Sequence, residues 1–280
     1  KAIAGYAYMD SSHANLWFMN DGDDDTGVDH LNCGDEGSSV TVILQKDSDP
    51  PHFLKTICVG KGHHVTAFVN YVDKSHTQAY KAFVSNLMDG SLSVIDNNPG
   101  SQSFLQVIDL IHLADSRYEN SGNKAIPNHA YPHGMVFSKL TGKLYSLNNG
   151  YETVAVIDPV SHKIIDVFPM PKCSNLLLSP DGRYLIGKGA DRKTDAQHVI
   201  GHINVFDLKN MKSVAEMELL DIYPSTYQFN REGKKLYVTT AYTGDEIQSK
   251  NLKTDQLLVF KADFPDIKLE KSISVGQTRC

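Results

Sequence analysis

Apolar and polar residues alternate along this chain in short runs, separated by turns carrying Gly, Asp, Asn and Pro. Period-two alternation rich in Val, Ile, Leu and Phe predicts half-buried β-strands rather than helices. The pattern also recurs. HGMVFSKLTGKLYSLNN begins at His133, SNLLLSPDGRYLIGKGA at Ser174 and STYQFNREGKKLYVTTA at Ser225. Each places an apolar run before a turn ending in Gly142, Gly182 or Gly233, then a basic residue and a second apolar run. A glycine at that place suits positive φ. A second half-motif follows each time: TVAVIDPVSHKIIDVF from Thr153, HINVFDLKNMKSVAEMEL from His202, and QLLVFKADFPDIKLEKSISVG from Gln256. SVTVILQKDSDPPHFLKTICVG from Ser39 and SLSVIDNNPGSQSFLQVIDL from Ser91 belong to the same series.

The repeating unit is therefore four antiparallel strands, here a to d, in approximate stretches 1–60, 61–128, 129–170, 171–221 and 222–280. One four-stranded sheet cannot cover both of its own faces, but stacked neighbours cover each other. The expectation is an all-β chain, a β-propeller of four-stranded antiparallel blades with strand a innermost. Five units either close a ring or form part of a larger, seven-bladed one within a longer polypeptide or complex. LLLSPDGRYL, FNREGKKLYVTT and VAVIDPVSHKIIDVF resemble the YVTN-type and lactonase-like propeller superfamily. That resemblance implies the fold and leaves function open, because the superfamily hosts enzymes, cofactor proteins and binding modules.

The long inserts fall between strands b and c or lead into strand a, so they share one rim. Loops gathered on one side of a rigid scaffold are where binding sites form. GKGHHVTAFVN, from Gly60, places His63 and His64 just before a strand a, and His133 is the blade-equivalent of His64, each with an aromatic four residues later (Phe68 and Phe137). His129 is close to His133, and His198 and His202 are read onto the long loop of the fourth unit. Neutral imidazole suits copper, zinc, iron or nickel, so His63, His64, His129 and His133 are candidate metal ligands. Asn148, Asn149, His198 and His202 are candidate ligand-binding residues. A water-filled polar rim and a proton-transfer role are the competing readings. The double histidine and LWFMNDG also resemble pieces of the nitrous-oxide-reductase and thiocyanate-dehydrogenase type of copper propeller. That resemblance implies copper ligation by His63 and His64, with His133 as a possible third donor.

Asp21, Asp23 and Asp25 stand in DGDDDTGVD, which packs five aspartates into nine residues. Such a loop is either solvated or a calcium site of oxygen ligands. Asp96, Asp158 and Asp207 recur after strand c as VID, VID and VFD. Their recurrence predicts turn capping rather than catalysis. His13 and His76 are likewise read as turn residues. Cys33, Cys58, Cys173 and Cys280 match no compact zinc motif, CxxC pair or haem attachment motif. They are disulfide candidates, with Cys33–Cys58 favoured over Cys33–Cys280, and Cys173–Cys280 requiring the two to be brought close.

Composition adds limits. The chain has 280 residues, 41% of them apolar, and a formal net charge of −6. It has no basic tract or nucleic-acid motif, no apolar run of bilayer length, and no nucleotide or flavin fingerprint, Walker loop, GxSxG elbow or HExxH. It opens at Lys1 without a methionine, which reads as a processed or excised product. The sequence thus points to a periplasmic or extracellular propeller whose long-loop rim takes a small ligand, a transition metal or a protein partner. A metal-dependent oxidoreductase and a metal-free interaction module are the alternatives.

Overall fold

The computed structural model describes residues 3–10, 14–21, 33, 38–44, 50–62, 65–117, 128–191, 198–241 and 251–276. Among these residues there are twenty strands and no helix. The first sheet is β1 (Ile3–Met9), β2 (Asn15–Asp21), β3 (Ser38–Leu44) and β4 (His52–Val59). The second is β5 (Thr66–Val72), β6 (Gln78–Asn86), β7 (Ser91–Asp96) and β8 (Val107–His112). The third is β9 (Pro132–Ser138), β10 (Lys143–Asn148), β11 (Thr153–Asp158) and β12 (Lys163–Pro169). The fourth is β13 (Asn175–Leu178), β14 (Tyr184–Ala190), β15 (Ile200–Asp207) and β16 (Lys212–Leu220). The fifth is β17 (Pro224–Phe229), β18 (Lys235–Thr240), β19 (Gln256–Asp263) and β20 (Asp266–Ser274). Every sheet is ordered a-b-c-d, the blade of a β-propeller. The chain forms two compact units, Lys1–Phe137 with Gly142–Phe168, and Ser138–Thr141 with Pro169–Cys280.

Within the first unit, alternation sends successive residues to different cores. In β6, Ala82 and Val84 join Trp17, Met19, Val40 and Val42 of the first sheet. Phe83, between them, joins Leu92, Leu144, Ala155 and Ile157, which reach into the third sheet. The Trp17 and Phe68 rings meet edge-on at 5.3 Å. In the second unit, Ile186, Ile203 and Val205 of the fourth sheet pack with Leu236, Val238 and Phe260 of the fifth. Tyr227 Oη donates to the Ile186 carbonyl at 3.0 Å across that core. The d strands are the exposed ones: Val107, Ile108 and Leu110 of β8 are about two-fifths exposed.

The turns follow the sequence pattern. Gly142, Gly182 and Gly233 all have positive φ, at 66°, 74° and 71°. At Gly142 a Cβ would also fall 2.4 Å from Tyr71 Oη. The aspartates after strand c cap the c-to-d turns. Asp158 accepts backbone N–H groups from Val160 and Ser161 and the Lys143 ammonium. Asp207 accepts Lys209 N and a two-pronged Arg183 guanidinium. Asp96 accepts Asn98 N and Ser103 Oγ, with Lys81 at 3.7 Å. The basic residue after the turn glycine thus has a partner in its own sheet. In the fifth sheet the partner is not an aspartate of strand c: Lys235 pairs with Glu270 of β20, and Lys261 stands opposite it in register. His76 occupies its a-to-b turn at φ 61°, above an Asp73 carboxylate that accepts Ser75 N and Thr77 N.

Cys33 and Cys58 form a disulfide with Cα atoms 5.1 Å apart. It ties the b-to-c connection of the first sheet to its outer strand. Cys173 departs from expectation: it is a buried thiol, because it packs inward against Gly187 and Met170. Cys280 lies outside the described residues.

Two outcomes are expected. Desolvation alone would raise the pKa of Asp158, but the Lys143 and backbone hydrogen bonds outweigh it and lower it from 3.8 to about 2. Arg183, above all, holds Asp207 well below the ordinary range. A depressed carboxyl stabilises the fold fully above its unfolded pKa and loses that contribution as pH falls through the folded value. Thermal melts of the wild type should therefore decline between about pH 5 and pH 2. Asp158→Asn should melt lower at pH 7 and change less across the same window; an equally steep acid limb in the variant would refute the assignment. Separately, Cys33→Ser/Cys58→Ser should lose about 3 kcal/mol in denaturant unfolding, from the freed 25-residue separation. An unchanged midpoint would show that the cross-link does not constrain the unfolded chain.

Candidate functional site

The rim-side segments comprise the b-to-c loops and the connections that enter each strand a. In the first unit, Gly60–Gly62 lies between β4 and β5 and is not strand. Lys61 N donates to Asp89 Oδ2 at 2.6 Å, and Met88 N donates to the Lys61 carbonyl. His63 and His64, which follow directly, lie outside the described residues. Asn128 anchors the next connection. Its Nδ2 donates to the Gly90 carbonyl at 3.1 Å, and its Oδ1 accepts Ala130 N at 2.9 Å. Gly150 N then donates to the Ala130 carbonyl. Only glycine fits at 150, because a Cβ there would fall 1.8 Å from the His129 carbonyl oxygen. His129 itself is half-buried and stacked on Tyr131, with centroids 6.1 Å apart. His133 is half-buried within β9. Asn148 ends β10 and is buried, whereas Asn149 is half-buried in the turn beyond it.

In the second unit, His198 Nδ1 lies 2.9 Å from Asp221 Oδ1. The His198 side chain is 43% exposed and that of Asp221 11%. The Asp221 backbone is fixed on both sides: its N–H donates to the Val199 carbonyl at 2.7 Å, and its carbonyl accepts Lys253 N at 2.8 Å. A carboxylate on Nδ1 orients an imidazole, which is the arrangement that lets histidine grip a polar ligand. Asp221 was not legible as a partner in sequence, since 23 residues separate the two. His202 corrects the reading of a long loop. It belongs to β15 and is fully buried, because β14 continues to Ala190 and β15 opens at Ile200.

A polar ladder joins strands b and c within the first two sheets and was also missed. Asn20 Nδ2 donates to Ser39 and Thr41, and Asn86 Nδ2 to Ser91 and Ser93. Each asparagine stands at or next to the end of strand b, facing hydroxyls on strand c; the recurring FMN, VSN and SLN were the available signal. In the third sheet Asn148 stands opposite Thr153, but Asn148 Oδ1, Thr153 Oγ1 and Ser146 Oγ have no protein partner. In the fourth sheet Gly189 takes the asparagine position, opposite His202.

Among the described residues, no three His, Cys, Asp or Glu side chains are grouped to hold a metal. A centre built on His63, His64, His129 and His133 has half of its donors outside those residues. The same holds for calcium: Asp21 ends β2, and Asp23 and Asp25 lie outside them. No helix among the described residues is long and apolar enough to cross a membrane.

No protein-family model and no curated sequence matches the chain. Solved structures do. Kuenenia stuttgartiensis hydrazine synthase aligns at TM-score 0.65 and 15% identity, over 97% of this chain and 66% of that one. A 6-phosphogluconolactonase candidate from Bacteroides uniformis aligns at 0.61 and 14%, over 98% and 73%. A second, from Bacteroides fragilis, aligns at 0.53 and 15%, over 97% and 84%. The chain thus spans about two thirds of the hydrazine synthase chain. At such identities the likeness speaks to architecture alone. Five four-stranded sheets and these neighbours together give the chain the β-propeller fold.

Proposed function

We propose that this chain is an exported β-propeller binding protein that takes a small polar ligand on its loop-bearing rim. The observation that carries the reading is the His198–Asp221 pair. A half-exposed imidazole is held by a carboxylate whose own backbone is locked by two hydrogen bonds. Ordering a side chain in this way costs entropy, and preorganised polar groups are what confer affinity on a rim site. The Cys33–Cys58 disulfide supports export, since such bonds persist in oxidising compartments. Sugar lactones, sugar acids and their phosphates are the first ligand class to try, because two of the neighbours are 6-phosphogluconolactonase candidates.

The same pair favours a second reading, hydrolysis of such a lactone, in which His198 takes a proton from water and Asp221 holds the imidazolium. A transition metal, copper first, remains the occupant to test at His129 and His133 with His63 and His64. Imidazole donors fit such an ion, and a metal-dependent oxidoreductase would need it. An interaction module would need neither metal nor small ligand.

The test is a thermal-shift screen of sugar acids, lactones, their phosphates, Cu2+ and Zn2+, with metal content measured on protein purified without added metal. A ligand at 100 times its Kd should add about 2.7 kcal/mol of stability. His198→Ala and Asp221→Asn should abolish that shift without changing the far-UV spectrum. The binding reading fails if no compound shifts the melt or if both variants respond as the wild type does. Turnover of the bound lactone that is lost in His198→Ala would move the protein to the hydrolase reading.

A further inference from the structure

The fourth sheet breaks the polar ladder in a chemically specific way. Gly187 and Gly189 of β14 face Asn204 and His202 of β15. The room left by the missing side chains is filled by the segment entering β13. A Cβ on Gly189 would fall 2.3 Å from the Lys172 carbonyl oxygen and 2.8 Å from Cys173 Cα. A Cβ on Gly187 would fall 2.5 Å from Cys173 Sγ and 2.8 Å from Met170 Sδ. The two sulfurs therefore lie side by side over the same glycine. Asn204 Nδ2 reaches Cys173 Sγ at 3.4 Å and the Pro171 carbonyl at 3.1 Å.

Three polar atoms on this stretch of β15 have no protein partner. His202 has no exposed surface, and neither ring nitrogen has a hydrogen-bond partner. Asn204 Oδ1 is also unpartnered. His202 and Asn204 are two residues apart on one strand, so they rise from the same face. The charged groups around the ring are Lys172, Glu216, Glu218 and Asp191. Of these, Glu216 Oε1 lies 3.7 Å from Nδ1. Burial, foremost, and Lys172 lower the pKa of His202. The equivalent positions in the first three sheets carry Ser39, Ser91 and Thr153, small hydroxyls that suit the ladder. A buried histidine without partners is a costly replacement for them.

We propose that Cys173, Met170 and His202 form a binding site for a soft monovalent metal ion, Cu+, with Asn204 supporting the thiolate. A thiolate, a thioether and an imidazole together select Cu+ over hard ions, which require oxygen ligands. On binding, the Cys173 thiol releases its proton to solvent and the sulfur takes the ion. Copper stays monovalent and no electron moves. This site uses neither residue of the His198–Asp221 pair.

The test uses the full chain with Cys280→Ser, so that Cys173 is the thiol under study while the disulfide stays intact. Cu+ is supplied with ascorbate in the absence of oxygen and competed with a chromophoric Cu+ chelator. One equivalent should be retained. Cys173→Ser should weaken retention by about 100-fold, and His202→Leu or the volume-conserving Met170→Leu by about tenfold. X-ray absorption should place sulfur in the copper shell. If Cys173→Ser fails to fold, Met170→Leu and the absorption spectrum decide alone. The proposal is overturned if Cys173→Ser retains copper like its parent or if the shell holds no sulfur. Loss of the retained equivalent in His129→Ala/His133→Ala, with no effect of Met170→Leu, would overturn it as well. His198→Ala should leave copper retention unchanged, so failure of the rim proposal and failure of this one are distinguishable.

Discussion

The second blade of this protein is apolar on both faces, and that constraint governs the rest. Strand β6 shows it at single-residue resolution: Ala82 and Val84 enter one core, and Phe83 between them enters another. A lone sheet with that strand at its centre would expose one apolar face to water, at roughly 25 cal/mol per Å². Stacking is the only solution open to such a sheet, and once sheets stack, both faces of strands b and c leave water. β7 is buried at every position as a result. Any polar group on those strands must then find a partner inside the protein, which explains the Asn–Ser/Thr ladder of the first two sheets.

Stacking also moves polar chemistry to the strand ends. At the c-to-d turns, the aspartates after strand c collect backbone N–H groups and a basic residue from strand b. At the other end, the connections entering strand a are fixed by backbone and Asn hydrogen bonds, as at Asn128, Ala130 and Asp221. The two ends therefore differ in what they can do. The aspartates of the turns are committed to holding the backbone. Beside those bonds, His129 and His198 are half-exposed.

Much of the fold was legible because it rests on local chemistry. A turn glycine at positive φ, an aspartate two residues before a turn amide, and period-two alternation all act within a few residues. The Cys33–Cys58 pairing was legible for a different reason: the predicted blade places both cysteines in one sheet, although 25 residues separate them. What failed depended on contacts distant in sequence. GKGADRKTDAQHVIGH reads as loop because glycines weaken a strand signal. Its first glycines are strand residues, kept small by Cys173 and the Lys172 carbonyl packed upon them. That packing cannot be inferred from the segment itself. The pairing of His198 with Asp221 was hidden likewise: it needs Asp221, at φ 58°, to turn the chain between β16 and β17.

Where the ladder is intact and where it is broken separates scaffold from candidate chemistry. The first two sheets satisfy their asparagines with hydroxyls, and these positions need no explanation beyond folding. The third sheet keeps the asparagine but leaves three oxygens without protein partners, an arrangement that fits buried water. The fourth replaces hydroxyls by imidazole and amide and brings two sulfurs against them, which water does not account for, because sulfur is a poor hydrogen-bonding group. Natural chains depart from local consistency at sites under a further demand. In one blade the departure comprises two glycines, a connection bent onto them and a buried histidine, and these changes depend on one another: without the glycines the sulfurs have no room, and without the sulfurs the glycines weaken the strand for no return.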